Sequence, residues 1–310
     1  MAQHGTVSFT GCFFAECLVL IILHLSGGLG NQMFQYAFGR ANATRLGAEL
    51  KYELTNPTLT IHNGFELERI FNIQASEATQ ADMKFVLGLQ RYALIRKLIK
   101  ASGLQKLFNS FIVQEPHFHF SPQMLRLQDH SYVNGYWQSE KYFSEVENEI
   151  RADFSFKLPL SQMNADIAER IGNLNSVSLH VRRNDFANNA KINATHGLCP
   201  LDYYQSAIQY IAERIEKPFF LIFSDDPAWV KENLQIDFSC EYVDHNQGAE
   251  SYNDMRLMSL CKHHIIANSS FSWWGAWLNS KADKIVVSPK SWFANGTSSQ
   301  DLIPQRWVKL

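Results

Sequence analysis

Along this chain the hydrophobic pattern switches repeatedly between short continuous apolar runs and a period of about 3.6, which is how strands and helices taking turns look in sequence. Near the start, LVLIILHL (residues 18–25) is an apolar run of the length of a buried strand. SGGLGNQ follows as a turn. In MFQYAFGRANATRLG, Met33, Tyr36, Ala37 and Ala41 recur at helical spacing until Gly47 ends the pattern. AELKYEL is a second strand. Residues 76–108 are helical and rich in Lys, Arg and Leu, an insert whose basic residues 91–100 read as a solvated face. QEPHFHF and YVNGYWQ flank a loop, and SEKYFSEVENEIRADF reads as a helix capped by Ser139.

The polar stretch KLPLSQMNAD, residues 157–166, is the natural linker. Beyond it the alternation is cleaner. Strand SVSLHV leads through a polar loop to the helix LDYYQSAIQYIAERI. Strand FFLIFS leads into DDPAWVKENL, where Asp226 suits an N-cap and Pro227 the first helical position. CEYVDH, HHIIANS and KIVVSP are further strands, separated by the helices SYNDMRLMSLCKH and SFSWWGAWLNS. The expectation is an α/β protein with parallel sheets. It divides into residues 17–160 and 161–310, and residues 1–16 form an atypical extension. The apolar run that follows this extension falls short of the roughly 20 apolar residues of a spanning helix and reads as a buried strand, with a signal anchor as the alternative.

Composition narrows the function. The chain has 310 residues, a net charge of −2 and 46% hydrophobic residues, enough for a sizeable core. Near-neutrality gives no global field for nucleic acid or for an anionic membrane, so any anion must be held by a local cluster. Five scattered cysteines with no CxxC pair and no zinc spacing suit reduced thiols, hence an intracellular, cytoplasmic protein.

Candidate chemistry gathers where strands stop. In SVSLHVRRNDF, Val177, Leu179 and Val181 point to one side and Ser178, His180 and Arg182 to the other. Arg183 falls just past the strand, where both guanidiniums can reach the crevice that open α/β sheets use for ligands. Two planar forks of donors suit a diphosphate, and Asp185 is placed to hold an arginine or accept a proton. A surface Arg–Asp pair capping a strand is the plainer alternative. Gly28, Gly30, Asn31 and Gln32 lie in a glycine-rich turn able to present backbone N–H groups to a phosphate or a sugar hydroxyl. That turn lacks the lysine of a P-loop and the third glycine of a dinucleotide fingerprint, although Glu53 stands where a ribose-binding acid would. Ser224 and Asp225 sit at another strand end and divide evenly between a site and a structural role, with Asp226 left to cap a helix. In NSSFSWWGAWL, Ser269, Ser270, Phe271 and Ser272 crowd a strand-to-helix junction, while Trp273, Trp274 and Trp277 have the spacing of a buried face. His117, His119, His263 and His264 read as structural.

The stretches HLSGGLGNQMFQYAFGRA, GYWQSEKYF, SLHVRRNDF, FSDDPAWV, NDMRLMSLCKHHIIANSSFSWWGAWLN and PKSWF together resemble the bacterial α-1,2-fucosyltransferases, glycosyltransferase family 11. The resemblance implies a GT-B-like fold of two facing Rossmann-like domains: an acceptor-side N-terminal domain and a C-terminal domain that binds GDP-fucose. It implies inverting transfer of fucose to the 2-hydroxyl of a terminal galactose on a glycan acceptor, without a metal or other cofactor. Under it, His180, Arg182, Arg183 and Asp185 form an H-x-R-R-x-D motif, with the arginines on the pyrophosphate; Asp185 is then the candidate base, or else positions Arg182 or Arg183. Ser224, Asp225 and residues 269–272 line the nucleotide site, and Gly28, Gly30, Asn31 and Gln32 face the cleft. Asn184 and Phe186 depart from the family's glycine and tyrosine around the aspartate. Peripheral association with a membrane is compatible with this picture, and no nucleic-acid partner is expected. Two other classes stay open on the residues: a dinucleotide-dependent oxidoreductase built on SGGLGNQ, and a non-catalytic glycan-binding protein on a transferase fold.

Overall fold

The computed structural model describes residues 19–73, 76–103, 111–183 and 189–310. Two wholly parallel sheets carry the fold. The first comprises β1 (Leu20–His24), β2 (Glu49–Glu53), β3 (Ser76–Glu77), β4 (Ile112–Gln114) and β5 (Ser131–Asn134), in the order β3-β2-β1-β5-β4. The second comprises β6 (Asn175–Val181), β7 (Pro218–Ser224), β8 (Cys240–Val243), β9 (His263–Ile265), β10 (Val286–Ser288) and β11 (Val308–Lys309). Its order, β8-β7-β6-β9-β10-β11, is the doubly wound Rossmann order 3-2-1-4-5-6. The chain reverses direction between β1 and β5 in one sheet and between β6 and β9 in the other. Those two switch points are where open sheets of this kind bind ligands.

The helix that follows β1 brings the switch points together. It runs Leu29–Leu46, so Gly30, Asn31 and Gln32 form its first turn rather than the tail of a loop. Gly28 is its N-cap, and Gly47, at φ 62°, closes it in the left-handed conformation glycine tolerates best. The helix Ser270–Leu278, which follows β9, abuts this first turn. A Cβ on Gly30 would lie 2.6 Å from the backbone carbon of Ser270 and 2.7 Å from the Phe271 nitrogen. Glycine is therefore required there to let two backbones touch. Trp274 Nε1 donates to the Gly30 carbonyl at 3.0 Å, and Ser270 Oγ donates to Asn31 Oδ1 at 3.0 Å. The two sheets consequently turn their carboxyl edges towards each other, the GT-B-like arrangement.

One core spans this seam. Phe34 packs against Trp273 and Trp274 with ring centroids 4.5 and 4.9 Å apart, and Phe143 stacks on Trp274. The three tryptophans are fully buried, as their spacing predicted. A second core, built on Val177, Leu179, Phe220 and Ile222, fills one face of the C-terminal sheet.

Several element boundaries differ from expectation. Ser139 caps a short 3-10 turn, Glu140–Tyr142, and the helix proper is only Glu147–Asp153. The helix Gln162–Gly172 starts inside the expected linker because Ser161 caps it, its side chain accepting from the Asn164 amide. His117 and His119 lie beyond β4 and not on a strand. The last strand, β11, is two residues long and left no periodic signal. The segment before it returns to the first half. Asp301 accepts from Lys141 and from the Phe120 amide, and Arg306 forks onto Glu140 at 2.6 and 2.8 Å. No helix among the described residues is long and apolar enough to cross a membrane.

Gly30→Ala is expected to lower stability by about 1–3 kcal/mol through overpacking at the seam. Gly172, whose Cβ would meet nothing within 4 Å, supplies the control. Gly172→Ala should be neutral or slightly stabilising. Urea unfolding of the two variants checks the contrast.

Candidate active site

Strand register sets the centre of the site. β6 and β7 pair along their full length and end level, Val181 opposite Ser224. Arg182 and Arg183 therefore emerge beside Asp225 and Asp226. Arg182 Nη1 lies 3.1 Å from Asp225 Oδ2, and the Arg183 amide donates to Asp225 Oδ1 at 2.8 Å. Arg183 stacks on Trp229, its guanidinium carbon 3.4 Å from the ring centroid. Its Nε is 3.6 Å from Asp226 Oδ2, an ion-pair distance but too long for a hydrogen bond, and that buried Nε has no hydrogen-bond acceptor. Asp225 thus holds the arginine pair. Asp226 caps the helix Pro227–Asn233 as predicted, accepting from the Trp229 amide. Ser224 Oγ accepts from the Asp226 amide and so shapes the same turn. Asp185, Asn184 and Phe186 lie outside the described residues.

His180 sits behind the arginines, its ring 6.0 Å from that of Phe271. Burial, with the Arg182 charge, pulls its pKa down to about 3, so the imidazole is neutral at physiological pH. Its Nδ1 is buried and has no hydrogen-bond partner. Across the β6–β9 crevice stands the start of the Ser270–Leu278 helix. Ser269 is its N-cap and accepts from the Phe271 amide at 3.3 Å. Ser269, Ser270 and Phe271 are half-buried, whereas Ser272 is buried and donates to the Ser269 carbonyl. Both guanidiniums lie beside the end of β7, on Asp225, Asp226 and Trp229, while the positive end of a helix follows β9 on the other side of β6.

The N-terminal residues divide. Gly28 is half-buried beside His62, and Asn31 is half-buried, accepting from both Ser270 and Gln138. Gly30 does not face the cleft, because it is sealed against Ser270. Gln32 does not face it either. It is fully buried, its amide donating to the carbonyls of Gly27 and Gly64 while accepting from the Glu66 amide.

A cavity of about 320 Å³ opens at the β1–β5 switch point, lined among others by His24, Ser26, Asn56, Glu115, Asn134 and Tyr136. Its polar groups were not anticipated from sequence. His24 Nε2 accepts from Asn56, which leaves the ring proton on Nδ1 for Glu53. Tyr132 and Thr55 also donate to Glu53. Burial alone would push Glu53 upward, but these hydrogen bonds outweigh it and hold the carboxyl down to about 2. With its oxygens taken up, Glu53 has no call to a ribose, so the dinucleotide alternative loses its acid. Burial raises Glu115, which nonetheless accepts from the Tyr136 and Trp137 amides and fixes the loop after β5. The signal available for this network was only that polar residues end β1 and β2. A second hollow, about 410 Å³, opens beside the ends of β9 and β10 and is lined by neither arginine. Among the described residues, no cluster of three or more His, Cys, Asp or Glu has metal-binding geometry.

The model of glycosyl transferase family 11 matches residues 20–310, and the chain belongs to that family. Two Escherichia coli proteins are similar over nearly their whole length. One, an alpha-1,2-colitosyltransferase, is 35% identical over 94% of this chain and 99% of its own. The other, the O-antigen biosynthesis glycosyltransferase WbnK, is 36% identical over 92% of this chain and 99% of its own. Among solved structures, the fucosyltransferase NodZ from Bradyrhizobium aligns with a TM-score of 0.48 and 15% identity, over 83% of this chain and 92% of that one.

Asp254, at the start of the helix Tyr252–Leu260, carries a pH dependence. Burial lifts its pKa from 3.8 to about 7, against a hydrogen bond from Asn246 that lowers it. Below about pH 4 the folded and unfolded forms are both protonated, and its contribution is fully present. As pH rises towards 7 the unfolded chain ionises first, so stability falls and levels off above that value. Asp254→Asn should remove this slope, and its stability advantage over the unsubstituted protein should be larger at pH 8 than at pH 4.5 in denaturant titrations.

Proposed function

We propose that the protein transfers L-fucose from GDP-β-L-fucose to the 2-hydroxyl of a terminal galactose on a glycan, with inversion and without a metal, in the cytoplasm. The observation that supports this best is the arginine pair at the β6–β9 switch point, fixed by Asp225 and Asp226 opposite a helix start. Such a pair suits a diphosphate, and the H-x-R-R-x-D resemblance supplies the nucleotide and the sugar.

The acceptor sits in the polar cavity on the N-terminal side, where His24, Asn134 and Glu115 are among the groups available to sugar hydroxyls. Its 2-oxygen attacks the anomeric carbon from the face opposite GDP. The bond from that carbon to the β-phosphate oxygen breaks, and its electron pair leaves with GDP. Arg182 and Arg183 stabilise the charge that grows on the diphosphate, the work a divalent cation does in other transferases. Asp185 accepts the proton from the attacking hydroxyl. Neutral His180 lies behind the pair and keeps a third positive charge out of the crevice wall.

A second donor has a specific observation in its favour: one similar E. coli protein is named a colitosyltransferase. GDP-fucose and nucleotide-activated colitose, each offered with a panel of β-galactosides and with linkage read by NMR, decide between the two. Activity should persist in EDTA, and its loss would contradict the metal-free reading.

Arg183→Ala should weaken GDP binding at least tenfold by calorimetry. Arg183→Lys should not restore it, because a lysine lacks both the planar fork and the stacking on Trp229. Unchanged affinity in both variants refutes the diphosphate clamp. Asp185→Asn should bind GDP normally and turn over far more slowly, and near-normal turnover would sink its role as base.

A further inference from the structure

The insert expected to be a solvated face is exposed, but what it exposes is apolar as well as basic. Among the described residues, Phe85, Leu89, Tyr92, Leu94, Leu98 and Phe111 are six of the twelve large apolar side chains left exposed. Leu89 and Leu94 are 70% and 68% exposed. The segment is a helix, a tight turn and a second helix: Gln80–Leu87, Gly88–Arg91 and Ala93–Ser102. The second helix carries an apolar stripe of Leu94, Ile95, Leu98 and Ile99. Its isoleucine edge is half-buried and its leucine edge faces out.

Charge on the insert runs against the rest of the chain. Residues 80–103 hold five basic residues and one acid, a net of +4 in a protein of −2. The acid, Asp82, is taken by Lys51. Lys84 and Lys97 are exposed, and Arg91 lies with its guanidinium carbon 4.6 Å from the centre of the Tyr92 ring. Arg96 donates to the carbonyls of Gln90 and Arg91 and so fixes the turn between the helices.

The insert also has a definite place in the fold. Phe85 packs edge-on against His130, just before β5, and the Phe111 carbonyl accepts from the Tyr132 amide at the start of β4 and β5. This is the amino-terminal edge of the first sheet, opposite the edge that lines the cleft.

We propose that this helix–turn–helix is a docking surface for an anionic lipid bilayer, lying in the interfacial plane. The exposed leucines, Phe85 and Tyr92 enter the boundary between headgroups and acyl chains, and Lys84, Arg91 and Lys97 meet lipid phosphates. Exposed apolar side chains interleaved with unneutralised cations are what such a surface requires. A second copy of the chain fits less well, because it would bring two positive faces together. Docking at this edge leaves the cleft open to water and to a glycan. The inference is independent of the donor and acceptor proposed above, and its readout does not use transfer activity.

The full chain is tested by co-sedimentation with phosphatidylglycerol/phosphatidylcholine vesicles and with phosphatidylcholine vesicles alone, at about 0.1 M salt, where exposed charges interact over about 10 Å. Binding is expected only to the anionic vesicles and should fall at high salt. Leu94→Glu/Leu98→Glu should reduce partitioning at least tenfold with the unfolding midpoint unchanged. Leu158→Glu/Met163→Glu, exposed elsewhere, should leave it unaltered. Equal binding to both vesicle types, or equal binding by the Leu94/Leu98 variant, overturns the proposal. So does a dimer in sedimentation velocity that this variant abolishes, since the face would then belong to a second copy.

Discussion

Two helix starts from opposite ends of the chain lie in backbone contact, and the geometry of the cleft follows from that contact. Gly30 permits it by having no side chain, and the Trp274 indole fastens it by donating to the Gly30 carbonyl. Asn31 then accepts from Ser270 on one side and Gln138 on the other. Because each helix begins at a switch point of its own sheet, joining the helices sets the two ligand-binding edges face to face. The aromatic core of Phe34, Phe143, Trp273 and Trp274 closes directly behind this contact and keeps it dry.

At the ends of β6 and β7, order is imposed before any ligand arrives. Two adjacent guanidiniums repel each other and carry much rotamer freedom. Asp225 and Asp226, delivered level with them by the β6–β7 register, offset the repulsion, and stacking on Trp229 holds Arg183 flat. Side chains already immobilised lose little entropy when they bind, so more of the interaction survives as affinity. Removing Asp225 would therefore loosen both arginines.

The alternation of periods made the strands and their order of appearance legible, and the sudden arrival of charge after SVSLHV made the arginines legible as a strand-end pair. The helix cap at Asp226 and the burial of the tryptophans followed from local rules. What escaped sequence reasoning depends on distant partners. Gly30 looks like a turn glycine until the backbone 240 residues later is seen against it. Gln32 looks like a cleft amide until the carbonyls that saturate it are located. Asp225 became an arginine holder only once register was known, since spacing along one strand cannot say what lies beside it. The Glu53–His24–Tyr132 network joins three strands of one sheet and had no local signature. The basic insert was legible only in part: composition registers its cations, whereas only packing reveals that its leucines are uncovered.

The indole bond to Gly30 has a consequence for how such a chain can be recombined. Although the two sheets have the topology of separable modules, the first turn of one half and the first turn of a helix in the other are cut to fit each other. A chimera that takes its acceptor side from one relative and its donor side from another would have to inherit both faces of that joint as a matched set. The boundary that matters for exchange is thus a surface in space, and no single point along the sequence coincides with it.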